Sequence, residues 1–515
     1  MPGEFATIAR LLRHQADSRA DHPLLVCDGE RLSYSDTDRR SAELARELIT
    51  LGVGKGTHVG VLHPNGSDFV VAMLAAVRIG AVVVPFSTFA TTRELHQQLV
   101  HSDVSVLLSA SSFRSHDYAR QLTELLGDID LSGQLFCPTV PQLRHVRIDP
   151  RPGPGAAFEL LRAMEDDVDG SDVMTIVYTS GSTSAPKGVV HTHSALLEHQ
   201  RNLNAIRGLS AQDRLFCNSP FFWIGGLAFG LLATLVAGST LVCSNATDAG
   251  AVLDLIEAEK PTITNGFVAG IAHLAEHPSY PRRDLSSLRR GNLYPIMAPD
   301  TRPADPELRH NMLGMTEAGS VLLISGDESD QPEHRRGSYG KPAPGFETMI
   351  VDPATGAPVQ GGTVGELCIR GPYVMQGYYK RSPETCFDAD GWFHTEDLVR
   401  ADDDGFFYFV GRRSGMIKTA GANVSAAEVE KAIGALGFTA HVFGLPDADR
   451  GQLVAAVIVS AEGSVEFDEA TLRERLKADL SAYKVPRRFV AVPRSDIPLL
   501  SSGKVDTARL KKLFS

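Results

Sequence analysis

Short runs of β-branched and aliphatic residues alternate with longer helical patterns from the start of the chain to about residue 410. "THVGVLH" (57–63) predicts an apolar strand, and "SDFVVAMLAAVRIG" (67–80) a helix of small and aliphatic residues capped by Ser67. "AVVVPF" (81–86) predicts a second strand. Thr91 and Glu94 form a capping box before "LHQQLVHSD" (95–103), and "VSVLLSA" (104–110) is a third strand. This alternation predicts an α/β fold with a parallel or mixed sheet and helices on its faces. Such folds bind ligands at the carboxyl ends of their strands.

The pattern continues through Gly- and Pro-rich breaks at 151–157 and 340–347, then changes. Ser425 and Glu428 make a second capping box, ahead of a helix with Val429, Ile433 and Leu436 on one face. "LVAAVIV" (453–459) is a strand, and "TLRERLKADL" (471–480) a helix with Leu472, Leu476 and Leu480 on one stripe. These changes predict a large domain over 1–411 and a compact α+β domain over 412–515. There are no internal repeats. The uncharged run "FFWIGGLAFGLLATLVAG" (221–238) reaches membrane-span length, but four glycines and the lack of basic flanks favour a buried helix lining a pocket.

Composition narrows the function. The net charge is −12, from 50 basic and 62 acidic residues, which argues against a nucleic-acid binder. Six cysteines in 515 residues, with no C-x-x-C pair, predict a reduced, cytoplasmic protein without a zinc site. The charged N-terminus carries no apolar signal core.

One loop carries chemistry. Behind the strand "DVMTIVY" come Thr179, Ser180, Gly181, Ser182, Thr183 and Ser184, then Pro186, Lys187 and Gly188. Freed backbone N–H groups, hydroxyls and one compact cation suit a polyphosphate. By itself the loop also reads as a surface turn, and it is not a Walker A motif.

The loop has company. "LGVGKGTHVGVLHPNGSDFVVAMLAAVRIGAVVVPF" (51–86), "GMTEAG" (314–319), "DGWFHTEDL" (390–398), "GRRSGMIKTAGANVSAAEVE" (411–430), "AYKVPRRF" (482–489) and "IPLLSSGKVD" (497–506) follow in order. Together they resemble the adenylate-forming superfamily, in its acyl-CoA synthetase (fatty-acid–CoA ligase) branch, over almost the whole chain. The resemblance implies a large N-terminal domain of mixed sheets flanked by helices, with a small mobile C-terminal domain. It implies ATP, Mg²⁺ and coenzyme A, a carboxylic acid activated as acyl-AMP, and pyrophosphate release.

Residue by residue, the resemblance assigns phosphate handling to Thr179, Ser180, Gly181, Ser182, Thr183 and Lys187. It makes Glu317 the magnesium-associated carboxylate, with Thr183 beside the metal. Gly314, Met315 and Thr316 belong to the nucleotide motif, with Thr316 near the α-phosphate. Asp397 would hold the ribose hydroxyls with Arg412, and Lys504 would bridge carboxylate and phosphate in adenylation. Gly421 would line the thiol tunnel after the small domain turns about a hinge at Gly415.

The chain also departs from the pattern. Ser184, Glu396 and Gly415 replace a glycine, a glycine and an aspartate. Leu313 stands where an aromatic ring usually stacks on adenine, and "GNLYPIMAPD" (291–300) replaces a Gly-Gly-Ala-Pro segment. Trp223 stands where many relatives have histidine; it reads equally as a gate for the acid or as core. Phe222, Ile224, Gly225, Gly226 and Phe267 are further pocket candidates. Arg487 and Arg488 read as coenzyme A contacts or surface charges. The expected product is the coenzyme A thioester of a hydrophobic acid, with no membrane span. A carrier-protein or amine acceptor, a nucleotide-binding pseudoenzyme and a homodimer stay open.

Overall fold

The stretch 67–77 organises the core. In the computed structural model it is a helix, Ser67–Val77, in which every residue but Asp68 is buried. A helix apolar all round must be covered on every side. Gly66, not Ser67, is its N-cap. Ser67 instead is the first helical residue, and its N–H and hydroxyl both donate to Glu30 Oε2, at 3.2 and 2.5 Å. The structure describes residues 6–127, 130–151, 153–179, 187–268, 271–413, 416–460, 468–498 and 505–514.

Two compact units are formed. One takes the chain up to Thr88, then Leu99–Tyr178 and Gly188–Gly411. The other groups the chain from Arg412 onward with Phe89–Gln98, Thr179 and Lys187.

The first unit holds two large sheets. A seven-stranded sheet runs Gly377–Tyr378, Lys187–Thr192, Val173–Thr179, Val82–Pro85, His58–Leu62, Val106–Ser109 and His145–Ile148. The pairs around its centre are parallel, with Val59 opposite Val83 and Val106. A six-stranded sheet runs Arg290–Gly291, Ile263–Asn265, Arg214–Cys217, Thr240–Cys243, Pro23–Cys27 and Glu30–Ser33, antiparallel only at its last pair. Two smaller sheets follow, of three and four strands, and their described pairs are antiparallel. The mixed sheets and helices match the expected α/β architecture.

At the end of the buried helix, Arg78 is itself buried and fully paired. Its guanidinium donates to Glu165 Oε1 at 2.6 Å, Asp38 Oδ1 at 2.7 Å, the Asp38 carbonyl at 2.8 Å and Ser41 Oγ at 2.7 Å. Glu165 also accepts from Arg13 and Arg162.

The run 221–238 is broken rather than one helix. It folds as a single turn Ile224–Gly226, a π-helical segment Leu227–Leu232, and a turn of α-helix Ala233–Ala237. No helix among the described residues is long and apolar enough to cross a membrane.

In the second unit, a five-stranded sheet carries the helix Ala426–Ala435, with Ser425 as its N-cap. The expected helix over 471–480 forms as Glu469–Leu476 and stops short of Leu480. Leu480 still joins Leu472 and Leu476 in one apolar cluster. Both cap bonds form, Glu94 N–H to Thr91 Oγ1 at 3.2 Å and Glu428 N–H to Ser425 Oγ at 3.3 Å, but only the first box is reciprocal: Thr91 N–H donates to Glu94 Oε2 at 2.8 Å, whereas Glu428 Oε1 accepts from Lys484. All six cysteines are free.

Four histidines of the first unit, His63, His191, His193 and His199, are buried, and burial pushes each down to about 4. The unfolded chain takes up these protons near pH 6.5, whereas the folded chain resists until near pH 4. Their contribution to stability is therefore complete above pH 6.5 and lost on acidification through that window. Each adds a slope of ~1.4 kcal/mol per pH unit. The thermal midpoint is expected to fall steeply between pH 6.5 and 4.5; a midpoint flat over that range contradicts these burials.

Candidate active site

The segment 313–320 is a tight reversal. Leu313–Met315 pairs antiparallel with Ser320–Ile324, and Thr316–Ala318 forms the 3₁₀ turn between them, closed by Gly319 at φ 66°. At Gly314 a Cβ would sit 2.8 Å from the Ser320 carbonyl oxygen, so glycine lets the strands approach. Leu313, 1% exposed, joins an apolar cluster with Leu323, Met375 and Phe393.

Three hydrogen bonds clamp the turn. His191 Nε2 donates to the Thr316 carbonyl at 2.7 Å. A carbonyl only accepts, so Nε2 carries the proton of a neutral imidazole. Met375 N–H donates to the Glu317 carbonyl at 2.8 Å, and the Tyr378 hydroxyl donates to Glu317 Oε1 at 2.8 Å. Burial, with the Glu317 carboxylate beside it, pushes the Tyr378 phenol far above its ordinary range, so it remains a donor. Neither His191 nor Tyr378 stood out in the sequence; a histidine in a strand and a tyrosine after glycine carry no spacing signal.

Asp397 is reached through a bulge. Glu366 faces Leu398 and Cys368 faces His394, so the strand Phe393–Ala401 carries two more residues between those pairs than its partner. Glu396 takes up the excess at φ +61°, a left-handed conformation that glycine adopts without strain. The bulge is held from within. Glu396 N–H donates to Glu366 Oε1 at 3.0 Å, Asp397 N–H to Thr395 Oγ1 at 3.1 Å, and Thr395 Oγ1–H to the Leu367 carbonyl at 2.7 Å. Asp397 ends fully buried. The glycine that Glu396 replaces thus matches the backbone geometry found here.

The acid-side candidates follow strand ends. Cys217 lies opposite Asn265, so Asn218 and Gly266–Phe267 leave adjacent strands together. Asn218 Nδ2 donates to the Phe267 carbonyl at 3.1 Å, and Phe267 N–H donates to Asn218 Oδ1 at 3.0 Å. From the departing segment 291–300, Asn292 Nδ2 donates to the Gly266 carbonyl at 2.7 Å and Asn292 Oδ1 accepts from Gly266 N–H at 3.2 Å. Asn65 closes the other side, accepting from Phe221 N–H at 2.7 Å and donating to the Ser219 carbonyl at 3.0 Å. On this frame Trp223 meets Phe222 and Phe267 edge to face, with centroids 5.5 and 5.9 Å apart. Ile224 is buried, next to Gly225 and Gly226. A Cβ on Gly226 would lie 2.1 Å from the Pro220 carbonyl oxygen. The structure thus brings Phe222, Trp223 and Phe267 together.

Thr179 ends one strand and Lys187 opens the next. Arg412 ends the strand Phe407–Arg412. Ala420 and Gly421, at φ +47° and +84°, form the two-residue turn of a hairpin in which Thr419 faces Ala422. Ser180, Gly181, Ser182, Thr183, Ser184, Gly415 and Lys504 lie outside the described residues. Among the described residues no group of three or more His, Cys, Asp or Glu could hold a metal. Glu317 offers one carboxylate, which fits magnesium, since that ion is commonly held by one or two carboxylates and the substrate's phosphates.

A buried acid behind a bulge, a clamped Thr-Glu turn and a cluster of rings after strand ends agree with the likeness of this chain to known proteins. A model of AMP-binding enzymes matches residues 12–379, and one of their C-terminal domain matches 428–504. The chain belongs to the AMP-binding enzymes. It is a ligase of the acyl-CoA synthetase kind, which uses ATP to activate a carboxylic acid and transfers the acyl group to coenzyme A. It is 33% identical to a feruloyl-CoA synthase of an Amycolatopsis species over 94% of both chains. It is 30% identical to 4-coumarate–CoA ligase 1 of Oryza sativa subsp. japonica, over 96% of this chain and 90% of that one. Among solved structures, amide bond synthetase McbA from Marinactinospora thermotolerans is similar at TM-score 0.79 and 26% identity, over 98% of this chain and 99% of that one.

Glu396→Gly relieves the left-handed Cβ strain and is expected to stabilise the protein by about 1 kcal/mol. Urea unfolding measures it; a loss of stability would mean that the Glu396 side chain holds the bulge.

Proposed function

We propose that this ligase activates a hydrophobic acid bearing an aromatic ring, with the residues below in stated roles. The observation that carries the reading is the clamped Thr316–Glu317 turn: a carboxylate fixed at one oxygen within a motif of the adenylating type. The edge-to-face set Phe222, Trp223 and Phe267 supports an aromatic acid, because ring edges and faces attract another ring more than a flexible chain.

In the first half-reaction the carboxylate oxygen attacks the α-phosphorus of ATP and pyrophosphate leaves. Negative charge gathers on phosphate oxygens, so fixed cations and N–H donors lower the barrier. Lys504 would bridge the carboxylate and the α-phosphate. Lys187 and the hydroxyls of 179–183 would bind the departing pyrophosphate. Asp397, acting with Arg412, would accept hydrogen bonds from the ribose hydroxyls and so orient the nucleotide. Bound magnesium supplies further positive charge at the phosphates, with Glu317 as its carboxylate and Thr183 beside it. In the second half-reaction the coenzyme A sulfur attacks the acyl carbon and AMP leaves. Gly421 would border the thiol path, and Gly415 would be the hinge.

The likeness to an amide bond synthetase favours one second reading, transfer to an amine. Pyrophosphate release over aromatic, aliphatic and cyclic acids, with and without coenzyme A, tests both. The expected result is release with aromatic acids and formation of their coenzyme A thioesters. Adenylate consumed by amines but not by coenzyme A would select the second reading, and preference for aliphatic acids would overturn the aromatic assignment.

Lys504→Ala is expected to slow adenylate formation by roughly two to three orders of magnitude, the scale of one lost oxyanion donor. Thioester formation from supplied acyl-AMP should persist; equal loss in both steps removes Lys504 from its role. Trp223→Ala should raise KM for aromatic acids by about tenfold, the scale of losing a ring contact with its buried area, and leave KM for ATP unchanged. A shift in the ATP value instead would assign Trp223 to the nucleotide.

A further inference from the structure

The two oxygens of Glu317 are treated differently. Oε1 accepts the Tyr378 hydroxyl at 2.8 Å, whereas Oε2 has no hydrogen-bond or ion-pair partner among the described residues. Tyr378 is firmly placed. Its strand pairs antiparallel with Val189 and Val190. Gln376 N–H donates to the Val190 carbonyl at 2.9 Å and Tyr379 N–H to the Gly188 carbonyl at 2.7 Å, bracketing the tyrosine. Its ring lies edge to face with Phe393 at 6.4 Å and under the Arg381 guanidinium at 5.4 Å. Met375, three residues before it, holds the Glu317 carbonyl. One short segment thus fixes both the backbone and one carboxylate oxygen of Glu317.

We propose that Tyr378 is a positioning residue that sets cation selectivity: by holding Oε1 it presents Oε2 as the readier oxygen for a cation and so favours magnesium over calcium. The proposal rests on the reading of Glu317 as the magnesium-associated carboxylate. Magnesium demands near-ideal octahedral geometry and keeps several waters, whereas calcium takes 6–8 oxygens and accepts both oxygens of a carboxylate. The phenol takes one lone pair of Oε1 and fixes the turn of the carboxylate, so swinging both oxygens onto one ion competes with a charge-assisted hydrogen bond. The burden falls on calcium, because magnesium needs only the free oxygen. A hydrogen bond spent purely on packing would carry no such asymmetry.

The test follows Mn²⁺ bound to the full-length enzyme with α,β-methylene-ATP by electron paramagnetic resonance, and displaces it with Mg²⁺ or Ca²⁺. In Tyr378→Phe the ratio of calcium to magnesium effectiveness is expected to rise about tenfold, the scale of one hydrogen bond to a charged group. A wild-type ratio in Tyr378→Phe, or equal weakening of both ions, overturns the proposal. Glu317→Gln separates the underlying reading. If it leaves Mn²⁺ binding unchanged, Glu317 is not the metal's carboxylate and that reading fails. If it abolishes binding while Tyr378→Phe keeps the wild-type ratio, only the role of Tyr378 fails. Should Tyr378→Phe not fold, Glu317→Asp draws the carboxylate back from the phenol with the core ring intact. The same rise is expected, and its absence counts against the proposal.

Discussion

The first unit depends on keeping one buried guanidinium satisfied. Arg78 ends a helix that is apolar on all sides, so its charge is carried into the core with it. Glu165, Asp38 and Ser41 meet it there, and Glu165 recruits Arg13 and Arg162. These residues come from the helices Ile8–Arg19, Tyr34–Thr50 and Phe158–Asp167 or the residue that follows the helix Ser67–Val77. Removing one partner from such a pair leaves an uncompensated charge, at ~3–5 kcal/mol. The pair is thus less a source of net stability than a condition on how four helices assemble around the sheets.

The site is then built by backbone devices. Parallel strands deliver Asn218 and Phe267 side by side, and side-chain amides lock the loops that follow. A bulge brings Asp397 into a buried position. A 3₁₀ turn, held by a neutral histidine and a tyrosine, sets Glu317. On the acid side Asn65, Asn218 and Asn292 each both donate and accept, as the desolvation cost of unpaired donors and acceptors favours.

The α/β class and the capping boxes were legible because they are local: periodicity and a three-residue spacing carry them. The apolar run at 221–238 reads as buried, but neither its break into the π-helical segment Leu227–Leu232 nor the close approach of Gly226 to the Pro220 carbonyl is encoded in a spacing. Ser67 has the chemistry of a cap, yet Glu30 from a neighbouring strand claims it. Family-like motifs pointed to Glu317 and Asp397, whereas His191, Tyr378, Asn65 and Asn292 act through partners 26 to 156 residues distant. The departure at 291–300 also makes sense only in three dimensions, where Asn292 grips Gly266.

The amide clasps on the acid side have a further consequence. Asn65, Asn218 and Asn292 hold the backbone at Ser219, Phe221, Gly266 and Phe267 through main-chain atoms; at Ser219, Phe221 and Phe267 many side chains leave those atoms in place, whereas at Gly266 a Cβ would lie 1.7 Å from Asn218 Oδ1. The rings of Phe222, Trp223 and Phe267 are therefore mounted on a frame that does not depend on which rings they are. Such an arrangement separates the inheritance of the fold from the inheritance of specificity: descendants can exchange the furnishings of the wall one residue at a time while the wall itself stands.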